Sequence, residues 1–124
     1  MKRLLLTFAL TLLSFAGIAQ EAPTGIMFDT TSRNLGRLLV GRTRTVEFEM
    51  TATAPAVVIL SATTNCECTK AGYPKKPLRK GDKAPITVLF EARERGYFRK
   101  NIHVKYNADG REQVRLLTVT GIVE

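Results

Sequence analysis

Beyond its first nineteen positions, no stretch of this chain repeats its apolar residues every 3.6 positions, whereas alternation with period two recurs along its length. Such a pattern cannot supply the apolar stripe of a packed helix. It supplies strands that turn one face to a core and the other to water. Over residues 43–50, Val46, Phe48 and Met50 fall on one face and Thr45, Glu47 and Glu49 on the other. Over residues 98–106, Phe98, Ile102, Val104 and Tyr106 oppose Arg99, Asn101, His103 and Lys105, and only Lys100 breaks the alternation.

Further strands are predicted at 26–29 and 35–40, separated by a polar turn over 30–34, and at 85–91 through Ile86, Val88 and Phe90. Residues 56–63 are apolar on both parities, which predicts a strand covered on both faces or buried at the centre of a sheet. Residues 71–83 carry Gly72, Pro74, Pro77, Gly81 and the cations Lys75, Lys76, Arg79, Lys80 and Lys83, and are expected to be a crossing loop. Asn107-Ala108-Asp109-Gly110 has the composition of a tight hairpin turn, with 111–123 as the returning strand. The spacing predicts an all-β fold, an immunoglobulin-like two-sheet antiparallel sandwich of about seven strands, with a small closed barrel as the alternative.

Ahead of this pattern stand a positive head, Lys2 and Arg3, an apolar run over 4–16, and the small residues of Gly17-Ile18-Ala19. This is the arrangement of a cleavable export signal over residues 1–19. The run is short of the ~20 residues a bilayer span needs, so no membrane span is expected. Residues 20–124 are then expected to be one immunoglobulin-like domain, exported to the periplasm or the extracellular space. The signal holds two of the nineteen basic residues and none of the eleven acidic ones, so the exported part stays basic. Outside the cytoplasm such a surface meets anionic glycans or acidic envelope proteins rather than nucleic acid. Lys75, Lys76, Arg79, Lys80 and Lys83 are the candidate anion or partner contact, and the alternative is a solvated loop.

The order of features carries a family resemblance. Phe28-Asp29 is followed by Leu35-Gly36, by Asn65-Cys66-Glu67-Cys68-Thr69, by a Pro- and Gly-containing loop ending at Lys80-Gly81, by Gly96-Tyr97-Phe98, and by a last strand containing Gly121. It resembles uncharacterised exported bacterial domains, frequent in Bacteroidetes, that carry a Ser-Cys-Gly-Cys-Thr motif on an immunoglobulin-like sandwich. These are similar in turn to major-sperm-protein and hydin-type domains. The resemblance implies a fold and a compartment and no activity. This chain has Asn65 for the serine and Glu67 for the glycine of that motif, and Thr51-Ala52-Thr53-Ala54-Pro55 where an Asn-Thr-Gly turn is usual. A glycine between the cysteines permits a positive φ that Glu67 tolerates poorly.

Cys66 and Cys68 are the only cysteines. In an extended strand their Cα atoms would lie about 6.6 Å apart, near the upper limit of about 6.8 Å for a disulfide, so a bridge there would be strained. It would also close a minimal loop and add little stability. Reduced, buried packing residues are the second reading and metal ligands the third. The oxidising compartment favours the bridge. Structural zinc needs about four ligands, and the single histidine, His103, shares a strand face with Arg99 and Lys105. No metal or other cofactor is expected. No histidine or paired carboxylates stand in a catalytic pattern, and no Gly-x-Ser-x-Gly, phosphate loop or His-Glu-x-x-His occurs. The chain reads as a non-enzymatic interaction or structural module of the envelope, with a small thiol redox or metal-binding protein using Cys66 and Cys68 as the alternative.

Overall fold

A computed structural model describes residues 24–124; the export signal expected over 1–19 and the cleavage point before Gln20 lie outside the described residues. Nine strands follow one another: β1 (Ile26–Phe28), β2 (Ser32–Leu38), β3 (Thr43–Ala52), β4 (Ala56–Thr64), β5 (Thr69–Gly72), β6 (Leu78–Arg79), β7 (Lys83–Glu91), β8 (Gly96–Ala108) and β9 (Arg111–Val123). They form a four-stranded sheet, β1-β3-β7-β5, and a five-stranded sheet, β2-β9-β8-β4-β6. No helix among the described residues is long and apolar enough to cross a membrane.

The inward positions of both sheets make one core. Phe48 and Met50 of β3, Ile86 and Val88 of β7, Ile102, Val104 and Tyr106 of β8, and Leu117 and Val119 of β9 are all fully buried. Each such side chain contributes about 1.5–3 kcal/mol on leaving water, which is why the period-two pattern suffices to hold the two sheets together. The Tyr106 hydroxyl donates to the carbonyl of Thr24 at 2.8 Å. That bond ties the start of the described chain onto the sheet.

The expected all-β sandwich is therefore present, and four local expectations are corrected. β2 begins at Ser32, inside the expected polar turn, and pairs parallel with β9; the other pairs are antiparallel. A parallel pair needs a long connection, and here almost the whole chain lies between the two strands. Residues 71–83 are not all loop, because β5 extends to Gly72, β6 lies at Leu78–Arg79 and β7 begins at Lys83. Two- and four-residue strands fall below any resolvable period. Finally, β4 is covered on one face only: Val57 and Ile59 are buried, while Val58 and Leu60 are 37% and 42% exposed. Its neighbours in the sheet are β8 and β6, and neither lies over its outer surface.

β4 is also nearly an edge. β6 pairs with it only at Ala56 and Val57. Beyond them the β4–β8 register slips between Ile59 and Ser61, and the Tyr73 hydroxyl donates to the carbonyl of Leu60 at 3.1 Å. A bulge and a capped carbonyl are two devices that blunt an edge against stray pairing.

Candidate functional site

At the end of β4 the chain must leave the five-stranded sheet and enter the four-stranded one, and the cysteine pair makes that crossing. Residues 65–68 are a turn rather than a strand, closed by the Thr69 N–H donating to the carbonyl of Cys66 at 3.1 Å. The Thr64 hydroxyl lies 3.0 Å from the Cys66 carbonyl and 2.8 Å from that of Thr69 and donates its one proton to this pair. On the far side, the Glu91 N–H donates to the carbonyl of Cys68 at 2.8 Å, so the turn is fastened to β7 as well as to β4.

Cys66 and Cys68 are joined as a disulfide with their Cα atoms 5.2 Å apart. The separation of about 6.6 Å expected of an extended strand rested on the wrong backbone. A turn shortens the Cα separation into the middle of the usual range. Glu67 sits in this turn without the positive φ that a glycine would permit; the one non-glycine at positive φ among the described residues is Asp109. Glutamate is thus compatible with the geometry, which removes the objection that its side chain raised.

The two sulfurs stand in unequal surroundings. Cys68 is only 7% exposed and packs with the core, its sulfur 3.5 Å from the Thr69 hydroxyl. Cys66 is half-buried, and its sulfur accepts from the Cys68 N–H at 3.3 Å. A cleft of about 530 Å³ borders both cysteines and runs along Phe90, Glu91, the loop after β7, and the first residues of β8. A second, more open hollow of about 540 Å³ shares Arg93 with the first and touches Cys66 but not Cys68. The floor of the first cleft is the stacked ring pair Phe90 and Phe98, with centroids 4.1 Å apart, one ring from each sheet. Arg93, Arg95, Arg99 and Lys100 line it against Glu91 and Glu94, a net positive lining. Arg93 is paired with Glu91 at 3.2 Å.

Lys100, the single break in the alternation of its strand, takes on meaning here. Its register partner is Val119 and it shares inward parity with Phe98 and Ile102, yet it is half-buried and lines the cleft. None of the ion pairs among the described residues involves it. Sequence reasoning recorded the break without its use. Arg93, Arg95 and the Phe90–Phe98 stack were missed altogether, since nothing in their spacing ties them to a pair of cysteines some thirty residues earlier.

The cations of the 71–83 segment lie elsewhere. Lys75 rests its ammonium 3.5 Å from the Tyr73 ring centre, Lys83 at the start of β7 is 3.9 Å from a Glu49 oxygen, and Arg79 is on β6 in the other sheet. Lys76 and Lys80 are exposed between them. The five are not gathered into one pocket, because β6 and β7 carry two of them into different sheets. His103 is exposed on the outer face of β8, opposite Leu116. Among the described residues no group of three or more His, Cys, Asp or Glu side chains is disposed to hold a metal ion.

The two-sheet architecture is that of immunoglobulin-like sandwiches of the PapD and major-sperm-protein kind. The seventh PapD-like domain of human CEP192 is similar over 86% of this chain and 91% of that one, at a TM-score of 0.70 and 11% identity. A C. elegans member of the major-sperm-protein family, WR4, aligns with 82% of this chain and all of its own, at 0.56 and 12%. The Vibrio cholerae VesB protease aligns at 0.68 and 14%, but the chain spans only about a third of it, covering 80% of itself and 32% of VesB. None of the curated proteins matches the sequence. The chain belongs to the family described as a protein of unknown function (DUF1573), which matches residues 26–123.

Proposed function

We propose that this chain is an exported, non-enzymatic interaction module of the cell envelope that binds through the outer face of its five-stranded sheet. The observation that carries the reading is the apolar content of that face. Outward positions hold Tyr97, 73% exposed, together with Val58, Val114, Leu116 and Ile122. Tyr97 and Ile122 are direct cross-strand partners, as are His103 and Leu116. Large apolar side chains gathered on one outward face, interleaved with Arg99, His103 and Lys105, fit an acidic or neutral protein partner better than open water. Export supplies the compartment, on the strength of the leader over residues 1–19.

The test is retention of envelope components by the tagged chain, compared with a variant carrying Leu116→Glu and Ile122→Glu. Both positions face outward, so the variant is expected to fold, with an unchanged circular dichroism spectrum, and to lose the retained partner. Equal retention by both proteins overturns the reading. A second reading, contact of Lys75, Lys76, Arg79, Lys80 and Lys83 with an anionic glycan, is favoured by the exposure of Lys76, Arg79 and Lys80. Charge reversal at Lys76, Arg79 and Lys80 is expected to abolish retention on an anionic glycan resin at physiological salt, and unchanged retention removes it.

A further inference from the structure

A cross-link that serves stability spans a long loop, because the conformational freedom it removes from the unfolded chain grows with loop length. Cys66–Cys68 spans one residue and removes almost none. The turn around it does not need it either. The bonds from Thr69 N–H to the Cys66 carbonyl, from the Thr64 hydroxyl to the Cys66 and Thr69 carbonyls, and from Glu91 N–H to the Cys68 carbonyl all hold the backbone without reference to sulfur. With the S–S bond open, the two thiols would remain neighbours on a fixed scaffold. That is the condition for a bond that opens and recloses.

The surroundings then assign separate parts to the two sulfurs. Cys66 borders both hollows and Cys68 only one, so the attacking group meets Cys66 first. Cys68 is buried beside the Thr69 hydroxyl, a donor within reach of a thiolate. Lys100, half-buried and outside every ion pair of the described residues, brings a positive charge to the cleft in which a Cys68 thiolate would form. A cation and a hydroxyl donor beside a sulfur stabilise its thiolate and make it the better leaving group.

We propose that Cys66–Cys68 is a thiol–disulfide exchange site for thiols flanked by carboxylates, with Cys66 the sulfur attacked and Cys68 the leaving and resolving thiol. An external thiolate donates its electron pair to the Cys66 sulfur, the Cys66–Cys68 bond breaks, and its electron pair leaves on Cys68 as a thiolate. The product is a mixed disulfide between the external thiol and Cys66. Attack by Cys68 on Cys66 restores the starting state. Attack by a second external thiolate on the external sulfur instead releases an external disulfide and leaves the protein with two thiols, so that two electrons pass from the external pair to the protein. Arg95 and Arg99, which line the same cleft, favour thiols carrying carboxylates. This reading rests on the cysteine pair and Lys100, which the sheet-face interaction does not use; Arg99 borders both surfaces, and the Leu116→Glu, Ile122→Glu variant separates the two because it leaves the cleft lining unchanged.

The experiment treats the oxidised protein with glutathione, caps remaining thiols with N-ethylmaleimide, and maps the modified peptides. Glutathione is expected on Cys66 and maleimide on Cys68. Glutathione on Cys68, or no exchange until denaturant is added, overturns the proposal. Lys100→Gln is expected to slow the exchange by roughly threefold or more while Lys100→Arg keeps the wild-type rate, and equal rates in all three proteins remove Lys100 from the site. Glutathione is expected to react faster than uncharged 2-mercaptoethanol at equal thiolate concentration, with the preference fading at high salt. An equal rate at low salt overturns the substrate class.

Discussion

Gly121 has no room for a methyl group. A Cβ built there would lie 2.6 Å from the Phe98 ring and 2.9 Å from the Gly36 carbonyl oxygen. The ring is one half of the stack that floors the disulfide cleft, so it cannot yield without moving Phe90. Gly121→Ala is expected to lower the unfolding free energy by about 1–3 kcal/mol, read from the urea midpoint. Cys66→Ser and Cys68→Ser, in contrast, remove a ring too small to matter and are expected to shift the midpoint far less than the ~2–5 kcal/mol of a long-loop disulfide. Before alkylation studies on either variant, intact mass of the exported wild type without reductant is expected to show no alkyl additions; two additions would mean that the pair is carried as thiols. Tyr106 gives a pH dependence. Burial raises its pKa above 10.0, and the nearby Arg115 charge opposes that only in part. A raised folded-state pKa means that the folded protein holds the proton longer than the unfolded chain, so this stabilisation is complete below about pH 10 and is lost as pH rises through the folded value. The urea midpoint is expected to fall as pH rises past about 10, and Tyr106→Phe to flatten that fall while lowering stability at pH 8 through loss of the bond to Thr24.

Among the elements, the β8–β9 hairpin is the longest local unit, in register from Gly96↔Val123 to Ala108↔Arg111. Its two-residue loop puts Asp109 at φ 49° and Gly110 at φ 80°, the left-handed pair whose twist suits a tight hairpin. Asn107 supports it by accepting from the Gly110 N–H at 2.9 Å. Gly110→Ala is expected to cost about 1 kcal/mol without altering the register, because only the turn conformation is penalised. The β4 edge is the opposite case, a strand kept from pairing by its bulge and by Tyr73. Tyr73→Phe frees the Leu60 carbonyl beside an exposed apolar side chain, and light scattering at fixed concentration is expected to rise relative to wild type. Both strands of the hairpin and their turn were legible in the sequence, since alternation and an Asp-Gly pair are local signals. β5 and β6 were not. They are four and two residues long and exist because β7 and β4 offer hydrogen-bonding edges beside them.

For the whole molecule, the decisive event is the passage of the chain between sheets at residues 65–68. That passage makes a turn of what local reading treats as the end of a strand, and brings the end of β7, the loop after it and the start of β8 against the cysteines. The period-two pattern determined that this chain folds as an all-β sandwich and which side chains of β3, β7 and β8 enter its core, because strand alternation and apolar burial are set residue by residue along the chain. The cysteine pair and the oddity of Lys100 were also visible in the sequence as features without a setting. Only the tertiary structure decided that Cys66 and Cys68 lie in a turn, that Cys68 is the buried member, and that Lys100, Arg95 and the Phe90–Phe98 stack share their cleft. These are contacts between two sheets, and sheet-to-sheet contact depends on how the strands are ordered and packed rather than on any spacing written in the chain.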